Sequence, residues 1–190
     1  MKIAITGHTA GIGRALAQLL ANRGHEIVGL SKREGHNIRV TPRTADAIES
    51  CDMFINNAQA GYAQTELLYA IWQRWQGQSK HIWCISTQMT QCPVDPAVPG
   101  QSMAAMSAYR NQKIALEDAC KQLQWKNARP HITLIRPGGV ATQPEQQFPW
   151  PYANTHAWAN NLLEIMINAN NSQLRVCEIS LGPVPSRIDL

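Results

Sequence analysis

The 190-residue sequence predicts a single α/β domain built on a doubly wound, mostly parallel sheet of seven strands with helices on both faces. Three observations carry this expectation. Short apolar runs alternate with longer stretches of helical apolar period along the whole chain. Gly7, Gly11 and Gly13 fall at the first junction between two such segments. No apolar run reaches the ~18 residues that a membrane-spanning helix needs.

Lys2 to Thr6 is a short apolar run that ends at Gly7 and reads as the first strand. Ile12 to Asn22 follows, with Leu16, Leu19 and Leu20 at the spacing of one helix face, and Gly24 closes it as a C-terminal glycine does. Glu26 to Leu30 (EIVGL) is the next strand and completes a β-α-β unit at Ser31. A weak strand is expected at Asn37 to Val40, a short helix at Thr44 to Ser50, a strand at Asp52 to Asn56 and a tryptophan-bearing helix at Gln64 to Gln76. Then come the strand His81 to Ser86, a long helix from Met103 to Gln124 and the strand His131 to Pro137. A helix at His156 to Asn168 and a last strand at Arg175 to Leu181 finish the series. Strands alternating with helices imply parallel pairing and a sheet covered on both sides.

The formal charge of +4 and the pI near 8.9 are mild, and the basic residues are scattered, so no nucleic-acid surface is indicated. Cys51, Cys84, Cys92, Cys120 and Cys177 stand singly, without a C-x-x-C pair, which argues against a zinc site, a redox pair or a disulfide framework. MKIAIT runs directly into the first strand and leaves no room for a signal peptide. The expectation is a soluble cytoplasmic protein with no metal.

In an open α/β sheet, ligands bind at the carboxyl ends of the strands, where the loop Gly7-His8-Thr9-Ala10-Gly11-Ile12-Gly13 lies. The first glycine permits the turn and the second admits backbone close to a pyrophosphate. The following helix supplies unpaired N–H groups and the positive end of its dipole. The spacing is G-x-x-x-G-x-G rather than the commoner G-x-G-x-x-G. At the end of the second strand an acidic residue would bind the adenosine ribose hydroxyls. This chain offers Ser31, Lys32 and Arg33, which suit a 2′-phosphate, so NADP(H) is expected over NAD(H); a solvated basic turn is the alternative. Tyr109 and Lys113 are four apart on a predicted helix and share a face. A cation so placed favours the phenolate and is expected to lower the tyrosine pKa, as a general acid or base requires.

Taken together, TGHTAGIG, Asn56-Asn57-Ala58, Ile85-Ser86-Thr87, Tyr109-x-x-x-Lys113 and Pro137-Gly138-Gly139-Val140-Ala141-Thr142 occur in the order of the short-chain dehydrogenase/reductase family, and the chain resembles that family over essentially its whole length. The resemblance implies a Rossmann-type sheet and a nicotinamide cofactor. It implies Tyr109 as proton donor or acceptor, Lys113 as the residue that orients cofactor and tunes Tyr109, and Thr87, or else Ser86, as the hydroxyl holding the substrate oxygen. It places Asn57 and Ala58 beside the adenosine ribose, and Pro137, Gly138, Val140 and Thr142 around the nicotinamide. Helix-paired homodimers or homotetramers are a further implication.

The departures are specific. Gln59 replaces the glycine of the N-N-A-G segment, and 22 positions separate Thr87 from Tyr109, which leaves Gln91 to Gln101 as an insertion. The family's relay asparagine has no counterpart, Gln64 being the nearest amide. The substrate lid, residues 143 to 155, is short but carries Phe148, Trp150 and Tyr152. The implied activity is NADP(H)-dependent interconversion of a small carbonyl compound and an alcohol. The competing readings are a cofactor-binding regulatory or scaffold protein and an epimerase or dehydratase using the same Tyr-Lys pair.

Overall fold

A computed structural model describes residues 1–92, 102–126, 128–142 and 151–183. The element order is β1 (Lys2–Thr6), α1 (Gly11–Asn22), β2 (Glu26–Leu30), α2 (Thr41–Glu49), β3 (Met53–Asn56), α3 (Ala63–Arg74), β4 (His81–Ile85), α4 (Met103–Lys126), β5 (His131–Pro137), α5 (Thr155–Asn171) and β6 (Glu178–Leu181). Among the described residues six strands form one sheet in the order β2-β1-β3-β4-β5-β6, every pair parallel.

The central strands read as apolar runs because both of their faces are covered. Ile3, Ile5 and Ile55 point to the side packed by α1 and α5, where Leu16, Leu20, Trp158 and Leu162 are buried with them. Ala4, Phe54, Ile82 and Leu134 point to the other side, against Leu67, Ile71, Trp75 and Leu116 of α3 and α4. Each face thus takes alternate residues of a strand, as the pleat dictates. Trp72 and Trp75 belong to this second core, whereas Trp125, near the end of α4, is 91% exposed.

The expected seventh strand is corrected by the structure, which has none at Asn37 to Val40. The Asn37 side chain accepts the Arg39 N–H at 3.1 Å and its carbonyl accepts the Val40 N–H at 2.8 Å. This asparagine turn spends on itself the backbone groups that a strand would offer a neighbour, and it delivers the chain straight into α2. The last strand is also shorter than expected, beginning at Glu178. All five cysteines are free. Among the described residues no helix is long and apolar enough to cross a membrane.

The strand order turns back on itself at β1, which sends β2 to one side and β3 to the other. The crevice beyond the carboxyl ends of β1 and β3 is therefore the position such a sheet offers a ligand.

Candidate active site

The loop from Gly7 to Gly13 fills that crevice. Gly7 has φ +71° and Gly11 φ +52°, a left-handed backbone that L side chains rarely adopt. A Cβ on Gly13 would overlap the Gly7 carbonyl and the Asn57 amide, so the helix can start this close to the turn only with glycine there. Helix α1 begins at Gly11, and its N-cap residue Ala10 gives no side-chain cap, leaving its first N–H groups free for an anion. Helix α5, by contrast, is capped by the Asn154 side chain, which accepts the His156 and Ala157 N–H groups at 3.0 Å.

The crevice is bolted from below. Thr6 Oγ1 accepts the N–H groups of Asn57 and Ala58 at 3.0 and 3.1 Å, and Asn57 Nδ2 donates to the Thr6 carbonyl at 3.0 Å. Asn57 therefore braces the loop, while its neighbour Ala58 lines the open space above. That space is a cavity of about 540 Å³ bounded by Gly7, Thr9, Ser31, Lys32, Arg33 and Ala58. Its dimensions and its glycine floor fit the adenosine and phosphate portion of a dinucleotide.

Two features here were not read from the sequence. His8 packs its ring over Gly29, where any Cβ would overlap it, which explains a glycine inside β2. Glu34, in the short turn Lys32–Glu34, accepts the Ser31 hydroxyl at 2.8 Å and lies 3.5 Å from His8 Nε2. A carboxylate therefore stands at the turn that also presents Lys32 and Arg33. The Ser31-x-x-Glu34 spacing, a capping-box signature, was the available signal.

Beyond the cavity lie the chemical groups. The Thr87 hydroxyl, at the end of β4, accepts the Met89 N–H at 3.3 Å and lies close enough to Tyr109 of α4 to favour its phenolate. Burial pushes the Tyr109 pKa up and the nearby Thr87 hydroxyl only partly opposes it, so the expected lowering by Lys113 is corrected. The reason lies in where the lysine goes. Lys113 is 3% exposed and donates to Gln64 Oε1 and to the Ile85 carbonyl, both at 2.8 Å, with Nζ 5.7 Å from the centre of the Tyr109 ring. Burial lowers its own pKa to about 8, although Cys84 and Glu117 pull the other way.

Ser86 is engaged elsewhere. Its hydroxyl donates to Glu117 Oε1 at 2.5 Å, beside Thr90, whose hydroxyl reaches the same oxygen at 2.7 Å. Glu117 Oε2 accepts Arg136 Nε at 2.9 Å and Nη2 at 2.8 Å, and Glu178 takes Arg136 Nη1 at 2.8 Å. Arg110 then clamps the turn after Thr87 by donating to the carbonyls of Met89, Thr90 and Cys92. Thr87 is thus flanked by two residues tied to one buried carboxylate and followed by a turn tied to α4.

The segment Pro137 to Thr142 closes the other side. Gly138 lies against Gln88 and Gly182, Val140 pairs with Ala153, and Thr142 packs on Gly11. This brings the end of β5 to the start of α1, next to a smaller cavity of about 250 Å³ bounded by Gly11, Arg14, Thr142 and Asn154. Phe148 and Trp150 of the expected lid, and most of the expected insertion, lie outside the described residues.

Residues 3–67 match the model of the NAD dependent epimerase/dehydratase family. No curated protein is significantly similar in sequence. Among solved structures the chain is similar to a short chain dehydrogenase from Burkholderia cenocepacia in complex with NADP, at TM-score 0.74 and 15% identity over 96% of this chain and 88% of that one. It is similar to an alcohol dehydrogenase from the archaeon Thermococcus sibiricus complexed with 5-hydroxy-NADP, at TM-score 0.73 and 16% identity over 100% of both chains. A third is the 3-alpha-hydroxysteroid dehydrogenase from Pseudomonas sp. complexed with NADH, at TM-score 0.65 and 18% identity over 95% of both chains.

Proposed function

We propose that this chain, which has the Rossmann-type fold of the short-chain dehydrogenases and reductases, is an NADP(H)-dependent oxidoreductase that interconverts a carbonyl compound and an alcohol. The observation that carries the reading is the pairing of Tyr109 with the buried Lys113, whose Nζ lies 5.7 Å from the ring centre and donates to the Ile85 carbonyl two residues before Thr87. In this reading one substrate oxygen is held by both hydroxyls, Thr87 fixing it and Tyr109 exchanging its proton.

The residues present fit the cofactor. Gly7, Gly11 and Gly13 leave room for the pyrophosphate against the uncapped start of α1, and Ala58 borders the adenosine end. Lys32 and Arg33 supply positive charge for a 2′-phosphate, and Glu34 is held by the Ser31 hydroxyl at 2.8 Å with His8 Nε2 3.5 Å away. The bound dinucleotide supplies or accepts the hydride. Tyr109 holds or releases the proton at its Oη, and Lys113, one turn along α4, is the cation of the site.

The family model that matches residues 3–67 keeps an epimerase or dehydratase as the second reading. Thermal melts with NADPH and NADH, followed by turnover of Tyr109→Phe, test the proposal. NADPH should raise the melting temperature more than NADH does, by mass action. Tyr109→Phe should lose at least about a hundredfold in turnover, the scale of general acid–base catalysis, while binding NADPH normally. Equal stabilisation by the two nucleotides sinks the NADP(H) preference, and an active Tyr109→Phe sinks the mechanism.

A further inference from the structure

Helix α3 begins one residue before Gln64, and that side chain is the most completely engaged amide at the site. Gln64 is 2% exposed. Its Nε2 donates to the Asn56 carbonyl at 2.7 Å and to the Ile85 carbonyl at 3.0 Å, the last residues of β3 and β4. Its Oε1 accepts from Lys113 Nζ at 2.8 Å. The backbone carbonyl of Gln64 in turn takes Asn56 Nδ2 at 2.9 Å.

The orientation of the amide follows from these partners. Turned over, the NH₂ group would face an ammonium and the oxygen would face two carbonyls, so only one setting satisfies every group. Two strands and a helix therefore hold the amide, and the amide holds the lysine.

We propose that Gln64 is the positioning residue of Lys113: it fixes the ammonium at the ends of β3 and β4 through a buried protein acceptor in place of solvent. The inference rests on the reading of Lys113 as the cation of an oxidoreductase site, but its test does not depend on turnover. An amide oxygen accepts a hydrogen bond yet takes no proton at ordinary pH. Gln64 therefore steadies the charged form of Lys113 without offering its proton an exit.

The groups facing Lys113 are few. Tyr109 and Glu117 share its helix, Cys84 lies on β4, and Glu117 is already engaged by Arg136 from β5. Gln64 and the Ile85 carbonyl are the acceptors in direct contact with Nζ. Removing the amide withdraws one of two hydrogen bonds to the charged form, while burial, which disfavours that form, persists.

The experiment follows the Lys113 ε-methylene by ¹H–¹³C NMR against pH, without cofactor, in the wild type, Gln64→Met and Gln64→Asn. The wild-type midpoint is expected at about 8. In Gln64→Met, which keeps the bulk and loses both polar functions, it should fall by about one pH unit, the scale of one hydrogen bond to a charged group. Gln64→Asn, one methylene short of Lys113, should fall in the same direction by less, and it carries the test if the methionine variant does not fold. The alkaline limb of the pH–rate profile for NADPH-dependent reduction should move down with the titration. An unchanged midpoint in a folded variant overturns the proposal. A shifted midpoint in a protein that never consumes NADPH leaves the Gln64–Lys113 coupling standing and removes the oxidoreductase reading alone.

Discussion

Replacing Glu117 with glutamine should be among the most damaging single-atom changes available in this protein. The carboxylate and its partner Arg136 are each 6% exposed and share two short contacts, so the pair exists almost without solvent. In Glu117→Gln the retained Oε1 can still accept the Ser86 and Thr90 hydroxyls, but the new NH₂ points at the guanidinium N–H groups, donor against donor. Breaking a buried pair from one side costs about 3 to 5 kcal/mol, because the remaining charge is stranded. Glu178 still holds Arg136 Nη1 at 2.8 Å, which places the loss near the lower limit, about 3 kcal/mol. For a domain of this size each kcal/mol moves the midpoint by about 2–4 °C, so the melting temperature should drop by about 6–12 °C. Urea unfolding and thermal melts of the two proteins measure it. A loss below about 1 kcal/mol would refute the reasoning, since the pair would then be breaking even against its own desolvation.

Gly13 and His81 carry two further predictions. Gly13→Ala places a methyl group in the Gly7 carbonyl and the Asn57 amide, so it should destabilise the fold by about 2 kcal/mol and remove the thermal shift caused by NADPH; unchanged nucleotide binding by isothermal titration would contradict the cradle. His81 donates from Nε2 to Thr133 Oγ1, whose own proton goes to the Val176 carbonyl at 2.6 Å, and burial together with neighbouring His131 lowers the His81 pKa to about 4. The unfolded chain takes up this proton near 6.5 and the native one only near 4, so stability is fully present above pH 6.5 and declines toward pH 4, by up to about 3 kcal/mol. Melts between pH 7 and 4.5 should show that decline flattened in His81→Gln, and equal slopes would rule the histidine out as its source.

Local signals in the sequence were read correctly where the physics is local. Short apolar runs and period-3.6 patterns placed β1, α1, β2, β4 and β5 within a residue or two, and the glycine spacing located the crevice. The reading of residues 37–40 as a strand went wrong because Asn37 forms a turn with its own side chain, a competition that apolar pattern does not reveal. Tyr109 and Lys113 do share a helix face, yet the inferred drop in the tyrosine pKa reversed. Spacing shows that two groups are close, but not that both are desolvated or that the cation is held by other partners. The Lys113 contacts to Gln64 and Ile85 join residues 49 and 28 positions apart and depend on the order of strands in the sheet. Glu117 was within reach, one turn beyond Lys113, but its partner Arg136 comes from another strand, so a lone glutamate gave no sign of a buried network.

The bolt formed by Thr6 and Asn57 has a mechanical consequence. A sheet whose order reverses between two neighbouring strands has a natural seam there, along which its halves could part like a jaw. Here a hydroxyl and an amide stitch the seam at the level where the crevice opens. The floor is thus a fixed mould rather than a hinge. The spacing of the two halves is therefore set before any ligand arrives, and binding does not have to bring them together.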